Sequence, residues 1–264
     1  QRPDGSSYAK RVVAYNQRFL AGQADGRLIA FDRRGSSTVG KANEAIRDIA
    51  FDEANNVAYL CTERGTVCRF SPEDGSVEDI FQNSDNEPIW SLALNQKTSL
   101  LGFCERRGSL RVLDTTTDRV IASWGKTSRP KRMKWLNDTQ LCHVQTKNLN
   151  IFDLSSSTSR VWISGCENTI EDFIWDEDRR YVVLIGYRTN VFLADFESGR
   201  FLSIAPDQAD YTKGVCWLPR MPNSYKLDFV TFGRSGTCHL YRIHNDRCLA
   251  LGPASNSPER MGSS

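Results

Sequence analysis

The sequence predicts an all-β fold, a β-propeller with six visible four-stranded blades, and three observations carry that reading. First, the pattern Gly-x-apolar-x-x-aromatic-polar comes round six times. Clear copies are Gly26–Asp32, Gly65–Ser71, Gly108–Asp114 and Gly236–Arg242, and two copies without the glycine are Lys147–Asp153 and Thr189–Asp195. Second, the copies start at 26, 65, 108, 147, 189 and 236, a mean spacing of 42 residues, which is the period of propeller blades built from short strands. Third, each repeat divides into four short apolar runs, strands a to d, separated by turn residues.

The elements follow in order. Repeat one has a short strand a around Arg11–Tyr15, and Ala24-Asp25-Gly26 then reads as a two-residue hairpin turn with positive φ. In repeat two, Ala42, Ala45, Ile46, Ile49 and Ala50 have helical spacing. A strand is nonetheless expected, because Ile46–Phe51 aligns position by position with Ile89–Leu94 and Ile170–Trp175. Repeat three is the clearest, with runs Ile89–Leu94, Leu100–Cys104, Leu110–Leu113 and Val120–Trp124. Pro72–Gly75, Ser155–Ser159 and Glu197–Gly199 fill the c-to-d turns of repeats two, four and five. Leu218–Leu227 lengthens the a-to-b loop of repeat six. Strands b, such as Tyr181–Ile185, are continuous apolar runs, the mark of burial on both faces. Strands a share a register: Phe51, Leu94, Trp135, Trp175 and Trp217 are equivalent, as are Ile49, Leu92, Met133, Phe173 and Val215.

The repeats assign residues 10–251 to one propeller domain, between an irregular segment 1–9 and a polar tail 252–264. Six blades then close directly, or a missing piece or another chain completes the ring, which would then have seven. Hydrophobic residues make up 39% and charged residues 25% of the 264, and the net charge is +2, so total charge points to no polyanionic partner. No apolar run is long enough to span a membrane as a helix. Of the eight cysteines, Cys61, Cys104 and Cys142 share one strand position, and Cys68 and Cys238 fall in another strand. They read as small apolar residues; no Cys-x-x-Cys pair marks a zinc site, and a reducing compartment, cytoplasm or nucleus, is expected.

The segment Asp25-Gly26-Arg27-Leu28-Ile29-Ala30-Phe31-Asp32 resembles the turn and third strand of WD-repeat propellers, with Phe-Asp where Trp-Asp is usual. The resemblance extends over nearly the whole chain as a divergent version. Where that family places a Gly-His pair before strand a, this chain has Asn43-Glu44, Asn86-Glu87 and Glu167-Asn168. The resemblance implies a non-enzymatic interaction scaffold whose b-to-c and d-to-a loops share one face. On that face the chain offers Arg64, Arg106, Arg107, Lys147, Arg188 and Arg234 from b-to-c loops, and Arg129, Lys131 and Lys213 from the d-to-a side. Arg64, Arg106, Arg107, Arg129, Lys147, Arg188, Lys213 and Arg234 are the expected partner-binding set. Converging charge focuses potential, and Arg binds carboxylate or phosphate bidentately, so an acidic or phosphorylated segment is the expected ligand.

Glu44, Glu63, Asp85, Glu87, Glu105, Glu167 and Asp210 are expected on the same face, where they would neutralise that charge. The partner expected is protein, in a multi-subunit complex. A nucleic-acid or phospho-ligand binder is the alternative, prompted by the basic and aromatic residues of Arg129–Trp135. A hydrolase or lyase with a channel metal is the other. It has little support, because His143, His239 and His244 fall in a b strand, a c strand and a c-to-d turn. Asp48 and Asp172, equivalent in strand a, are the best candidates for such a site, and amide-binding is their plainer role. No cofactor, catalytic residue, metal ligand or small-molecule substrate is expected.

Overall fold

The computed structural model describes residues 8–107, 109–126, 130–187, 190–205, 211–220 and 226–253. Its strands form six four-stranded antiparallel sheets, each a meander of four consecutive strands, and no helix occurs among the described residues. Sheet one is β1 (Ala9–Tyr15), β2 (Arg18–Gln23), β3 (Arg27–Asp32) and β4 (Gly35–Lys41). Sheet two is β5 (Ile46–Asp52), β6 (Val57–Thr62), β7 (Thr66–Phe70) and β8 (Val77–Gln82). Sheet three is β9 (Ile89–Asn95), β10 (Leu100–Glu105), β11 (Ser109–Asp114) and β12 (Arg119–Lys126). Sheet four is β13 (Met133–Trp135), β14 (Gln140–Gln145), β15 (Asn148–Asp153) and β16 (Thr158–Ile163). Sheet five is β17 (Ile170–Trp175), β18 (Tyr181–Gly186), β19 (Val191–Asp195) and β20 (Phe201–Ala205). Sheet six is β21 (Thr212–Trp217), β22 (Leu227–Gly233), β23 (Cys238–His244) and β24 (Arg247–Pro253).

The strand expected over Ile46–Phe51 is β5, so the helical spacing there is incidental. A strand in the middle of a packed stack buries both faces, and apolar residues then fall at helical offsets by chance.

The chain forms two compact units: residues 1–146 with 150–160, and residues 147–149 with 161–264. In the first unit, sheets stack face on face. Leu20, Leu28 and Ala30 of sheet one pack on Ile46, Ile49, Leu60 and Phe70 of sheet two. Tyr59, Cys61 and Val67 of sheet two pack on Leu92, Leu101 and Phe103 of sheet three. Cys104, Leu110 and Val112 of sheet three pack on Met133 and Leu141 of sheet four. In the second unit, Val183, Ile185 and Leu193 of sheet five pack on Val215, Phe229 and Tyr241 of sheet six. Each large side chain buried in this way stabilises by roughly 1.5–3 kcal/mol. The b strands are the inner layers, and all six residues of β18 are buried.

The matched strand-a positions do more than stack. Trp135 Nε1 donates to the carbonyl of Ala93 at 2.8 Å, and Trp217 Nε1 donates to that of Trp175 at 2.7 Å. Each indole therefore bonds the first strand of the sheet before it, so apolar contact and a directed hydrogen bond fix the same spacing.

The b-to-c turn corrects one expectation. A two-residue Asp-Gly turn needs positive φ at both residues, but only Gly26 has it, at 86°. Gly26 N donates to Gln23 O at 3.2 Å, which makes a tight turn followed by a left-handed glycine. Gly65 and Gly236 repeat it, with φ of 83° and 88°. The recurring glycine of the sequence pattern is thus a conformational requirement. Asp25 serves this turn by accepting Arg27 N at 3.1 Å and pairing with the Arg27 guanidinium at 2.7 Å.

Candidate functional site

Strand a carries a β-bulge in five of the six sheets. Register slips between Ala9 and Arg11, Ile46 and Asp48, Ile170 and Asp172, and Thr212 and Gly214, and Trp90 is skipped between Ile89 and Ser91. A bulge leaves one residue unpaired and re-aims its side chain. The five unpaired residues are Lys10, Arg47, Trp90, Glu171 and Lys213. Lys131 stands at the same offset before Met133 in sheet four.

In the first unit these residues form a basic–aromatic cluster. The Arg47 guanidinium lies 5.5 Å from the centre of the Trp90 ring and the Lys131 ammonium 4.8 Å from it. Glu63, at the start of the β6–β7 turn, accepts from Lys10 at 3.3 Å and from two nitrogens of Arg47, one of them at 2.6 Å. Burial disfavours the Glu63 carboxylate, but the Arg47 guanidinium, seconded by Lys10, holds its carboxyl below the usual value. The predicted cations Arg64, of that turn, and Arg107, of the β10–β11 turn, are exposed and make no side-chain hydrogen bond or ion pair among the described residues. Arg106 is half-buried and pairs with Glu87 at 3.3 Å.

The acids at the Gly-His position do structural work here. Glu44 accepts from Thr62 Oγ1 at 2.8 Å and from Arg64 N at 3.1 Å. Thr62 Oγ1 then accepts Thr66 N at 3.1 Å. A carboxylate and a hydroxyl thereby fix the turn that presents Arg64.

The second unit holds Lys147, Lys213 and Arg234. Lys147, in the β14–β15 turn, and Arg234, in the β22–β23 turn, are exposed. Lys213 pairs with Glu171 at 3.1 Å and lies 4.0 Å from the centre of the Tyr211 ring. Arg129 and Arg188 lie outside the described residues. Of the six predicted cations among the described residues, Arg106 and Lys213 are therefore held by acids, Glu87 and Glu171. Arg47 and Trp90 were missed. Their signal was available: each breaks the apolar alternation of strand a at the same place, as a bulge does.

Asp48 and Asp172 are buried and bind amides. Asp48 Oδ1 accepts Ile49 N at 3.0 Å and Arg11 Nε at 2.5 Å, and Arg132 lies 3.7 Å from Oδ2. Burial would raise the Asp48 pKa, but the charges of Arg11 and Arg132 and the Leu92 amide bring it below the ordinary value. Asp172 Oδ1 likewise accepts Phe173 N at 2.9 Å. His143 is buried, and burial lowers its pKa to about 4. Among the described residues, no three His, Cys, Asp or Glu side chains gather into a metal-binding set, and no helix is long and apolar enough to cross a membrane.

The loop after β21 borders a second feature in the same unit. Asp176, Glu177, Trp217, Leu218, Pro219, Arg220, Leu227 and Asp228 line a cleft of about 460 Å³. Arg220 crosses it to Asp178 at 2.8 Å, and Arg242 holds Asp228 through two bonds of 2.7 Å.

No protein-family model matches the sequence, and no curated protein matches it. Solved structures do match the fold. The structure of U3-55K superposes with a TM-score of 0.76 at 10% identity, covering 96% of this chain and 83% of that one. The crystal structure of RRP9 WD40 repeats gives a TM-score of 0.76 at 11% identity, covering 96% of this chain and 82% of that one. At such identities the likeness is one of architecture, and the architecture of this chain is that of a six-bladed β-propeller of the WD40-repeat type.

Proposed function

We propose that the protein is a non-enzymatic interaction scaffold within a multi-subunit complex, and that the loop face of its first unit takes an acidic or phosphorylated segment of a protein partner. The observation that carries this reading is the pair of cations, Arg47 and Lys131, held over Trp90 at 5.5 and 4.8 Å. Arg64 and Arg107 project from turns of the same unit and are already exposed, so pairing them with a ligand costs little desolvation. The turn that carries Arg64 is pinned by Glu44, Thr62 and the left-handed Gly65, and a preorganised loop loses little entropy on binding. No two cysteines are joined in a disulfide among the described residues and six of the eight are buried, which fits a reducing compartment such as cytoplasm or nucleus.

Fluorescence polarisation with a labelled phosphoserine-containing acidic peptide tests the reading. Arg64→Glu with Arg107→Glu should weaken binding by about ten-fold or more, with a shallower salt dependence. Unchanged affinity removes the proposal. Trp90 between two cations also favours a second reading, a single-stranded nucleic acid stacked on the indole. An oligonucleotide that outcompetes the peptide, and loses to Trp90→Ala, would establish that reading instead.

A further inference from the structure

The cleft beside the loop after β21 lies within the second unit, and one residue in its wall carries an oxygen that the fold does not use. Asp176 follows β17 and is 2% exposed. Its Oδ1 accepts the backbone amides of Arg180 at 2.9 Å and Tyr181 at 2.6 Å, which closes the turn into β18. Its Oδ2 is buried and has no hydrogen-bond partner. Arg220 Nη2 stands 3.7 Å from Oδ2, beyond hydrogen-bond reach. Arg220 also lines the cleft, so Oδ2 is the oxygen on the cleft side.

Equivalent positions in earlier sheets leave nothing over. Asp52 and Asn95 hold the same place, after Phe51 and Leu94. Asp52 Oδ1 accepts the amides of Ala54 and Asn55, and its Oδ2 accepts Asn55 Nδ2 at 2.9 Å. Asn95 Oδ1 accepts Lys97 N at 3.2 Å, and its Nδ2 donates to Asn137 O at 3.3 Å. Asn95 also shows that closing such a turn requires no carboxylate. Turn closure therefore accounts for Asp176 Oδ1 and leaves the buried, charged Oδ2 unexplained, and such a group is costly without a partner.

Charge around the cleft is lopsided. Asp228 is spent on Arg242 through two bonds of 2.7 Å. Asp176, Glu177 and Asp178 share one guanidinium, that of Arg220, which bonds Asp178 at 2.8 Å. Arg179 and Arg180, next in sequence, turn to the rings of Phe196 and Tyr181. Glu177 is exposed and makes no hydrogen bond or ion pair among the described residues. Beside these acids lie Trp217 and Leu218. The Trp217 ring is held by its bond to Trp175 O and by an edge-on contact with Phe229 at 5.5 Å. Leu218 is 38% exposed. A fixed apolar wall next to excess carboxylate suits a side chain with an apolar stem and a cationic head.

We infer that this cleft receives an arginine side chain from a basic segment of a protein partner. The stem lies on Trp217 and Leu218, and the guanidinium bonds Asp176 Oδ2 and Glu177. Arg220, already bonded to Asp178, is the placeholder that the guest displaces. Arginine fits better than lysine, because its planar, weakly hydrated head stacks on an indole and bonds two carboxylates at once. The site uses none of the residues of the loop face of the first unit and selects the opposite charge.

Fluorescence polarisation with a labelled Gly-Ser-Arg-Gly-Ser peptide, beside the same peptide carrying citrulline for arginine, tests this. Citrulline keeps the shape and loses the charge, so it should bind about ten-fold or more weakly. Asp176→Asn keeps Oδ1 for the turn and should weaken the arginine peptide by about ten-fold or more. Glu177→Lys, at an exposed position that folding does not depend on, should weaken it by about three-fold or more. Arg220→Ala removes the placeholder and should tighten binding by about two-fold or more. Arg64→Ala with Arg107→Ala should leave the affinity unchanged, which separates this site from the loop-face reading. Absence of arginine-peptide binding, equal binding of the two peptides, or full affinity in Glu177→Lys overturns the inference. A weaker complex with Arg220→Ala also overturns it, since Arg220 would then be the contact of an anionic guest.

Discussion

Asp48 Oδ2 accepts the backbone amide of Leu92 at 3.0 Å, across 44 residues of sequence. Leu92 belongs to the first strand of the following sheet, so a buried carboxylate ties consecutive sheets together at their first strands. Asp172 does the same for Val215 at 3.4 Å in the second unit. The bulge one residue earlier turns each aspartate toward the neighbouring strand.

Removing this tie should be expensive. Asp48→Ala strands the Leu92 amide and leaves Arg11 and Arg132 without their buried counter-charge, so we expect a loss of about 3–5 kcal/mol by urea denaturation. Asp48→Ser, which keeps a small acceptor but no charge, should recover only part of it.

The left-handed glycines should differ by what surrounds them. A Cβ on Gly26 would meet Ala42 O at 2.4 Å and Glu44 O at 2.8 Å, both backbone atoms, whereas one on Gly236 would meet nothing within 4 Å. Gly236→Ala should therefore cost only the backbone strain, about 1–2 kcal/mol, and Gly26→Ala clearly more. Thermal denaturation of the two variants side by side checks the order.

Stability should fall on mild acidification because of His143. Its folded pKa, about 4, lies below the unfolded value near 6.5. The unfolded chain thus takes up the proton first, and stability present above pH ~6.5 is lost as pH falls toward 4, on the order of 2–3 kcal/mol. In His143→Leu that part of the pH dependence should vanish in denaturation curves measured between those limits.

Glu63 should restrain the basic cluster. Glu63→Gln leaves hydrogen-bond acceptance but removes the charge that engages Lys10 and Arg47. Binding of the acidic phosphopeptide should tighten by about three-fold or more at low salt, with the gain fading as salt is raised. A weaker or unchanged affinity would mean that the bulge cations do not face the ligand.

Much of the architecture was legible in the amino-acid order. Runs such as Tyr181–Ile185 read as strands because burial on both faces demands unbroken apolar residues, and the recurring glycine read as a turn because few other residues take its φ. The strand over Ile46–Phe51 was recoverable only by comparing repeats, since its own spacing fits a helix equally well. Local order alone could not supply the turn type at Gly26, which depends on where the pairing of β2 with β3 ends, at Gly22 and Leu28. The cation-bearing turns were visible one by one in the sequence.

Which of those cations are spoken for was decided by the tertiary structure. Glu87 holds Arg106 and Glu171 holds Lys213, while Arg64 and Arg107 stay open. Tertiary structure also raised Arg47 and Trp90 from unremarked strand residues to the centre of a cluster, and gave Asp48 the task of joining sheets. The division has a physical cause. Strand, turn and repeat are set by periodicity and backbone preference over a few neighbours, which the sequence states directly. Charge pairing and the ties between consecutive sheets depend on which side chains meet from distant parts of the chain, and that is fixed only when the sheets pack.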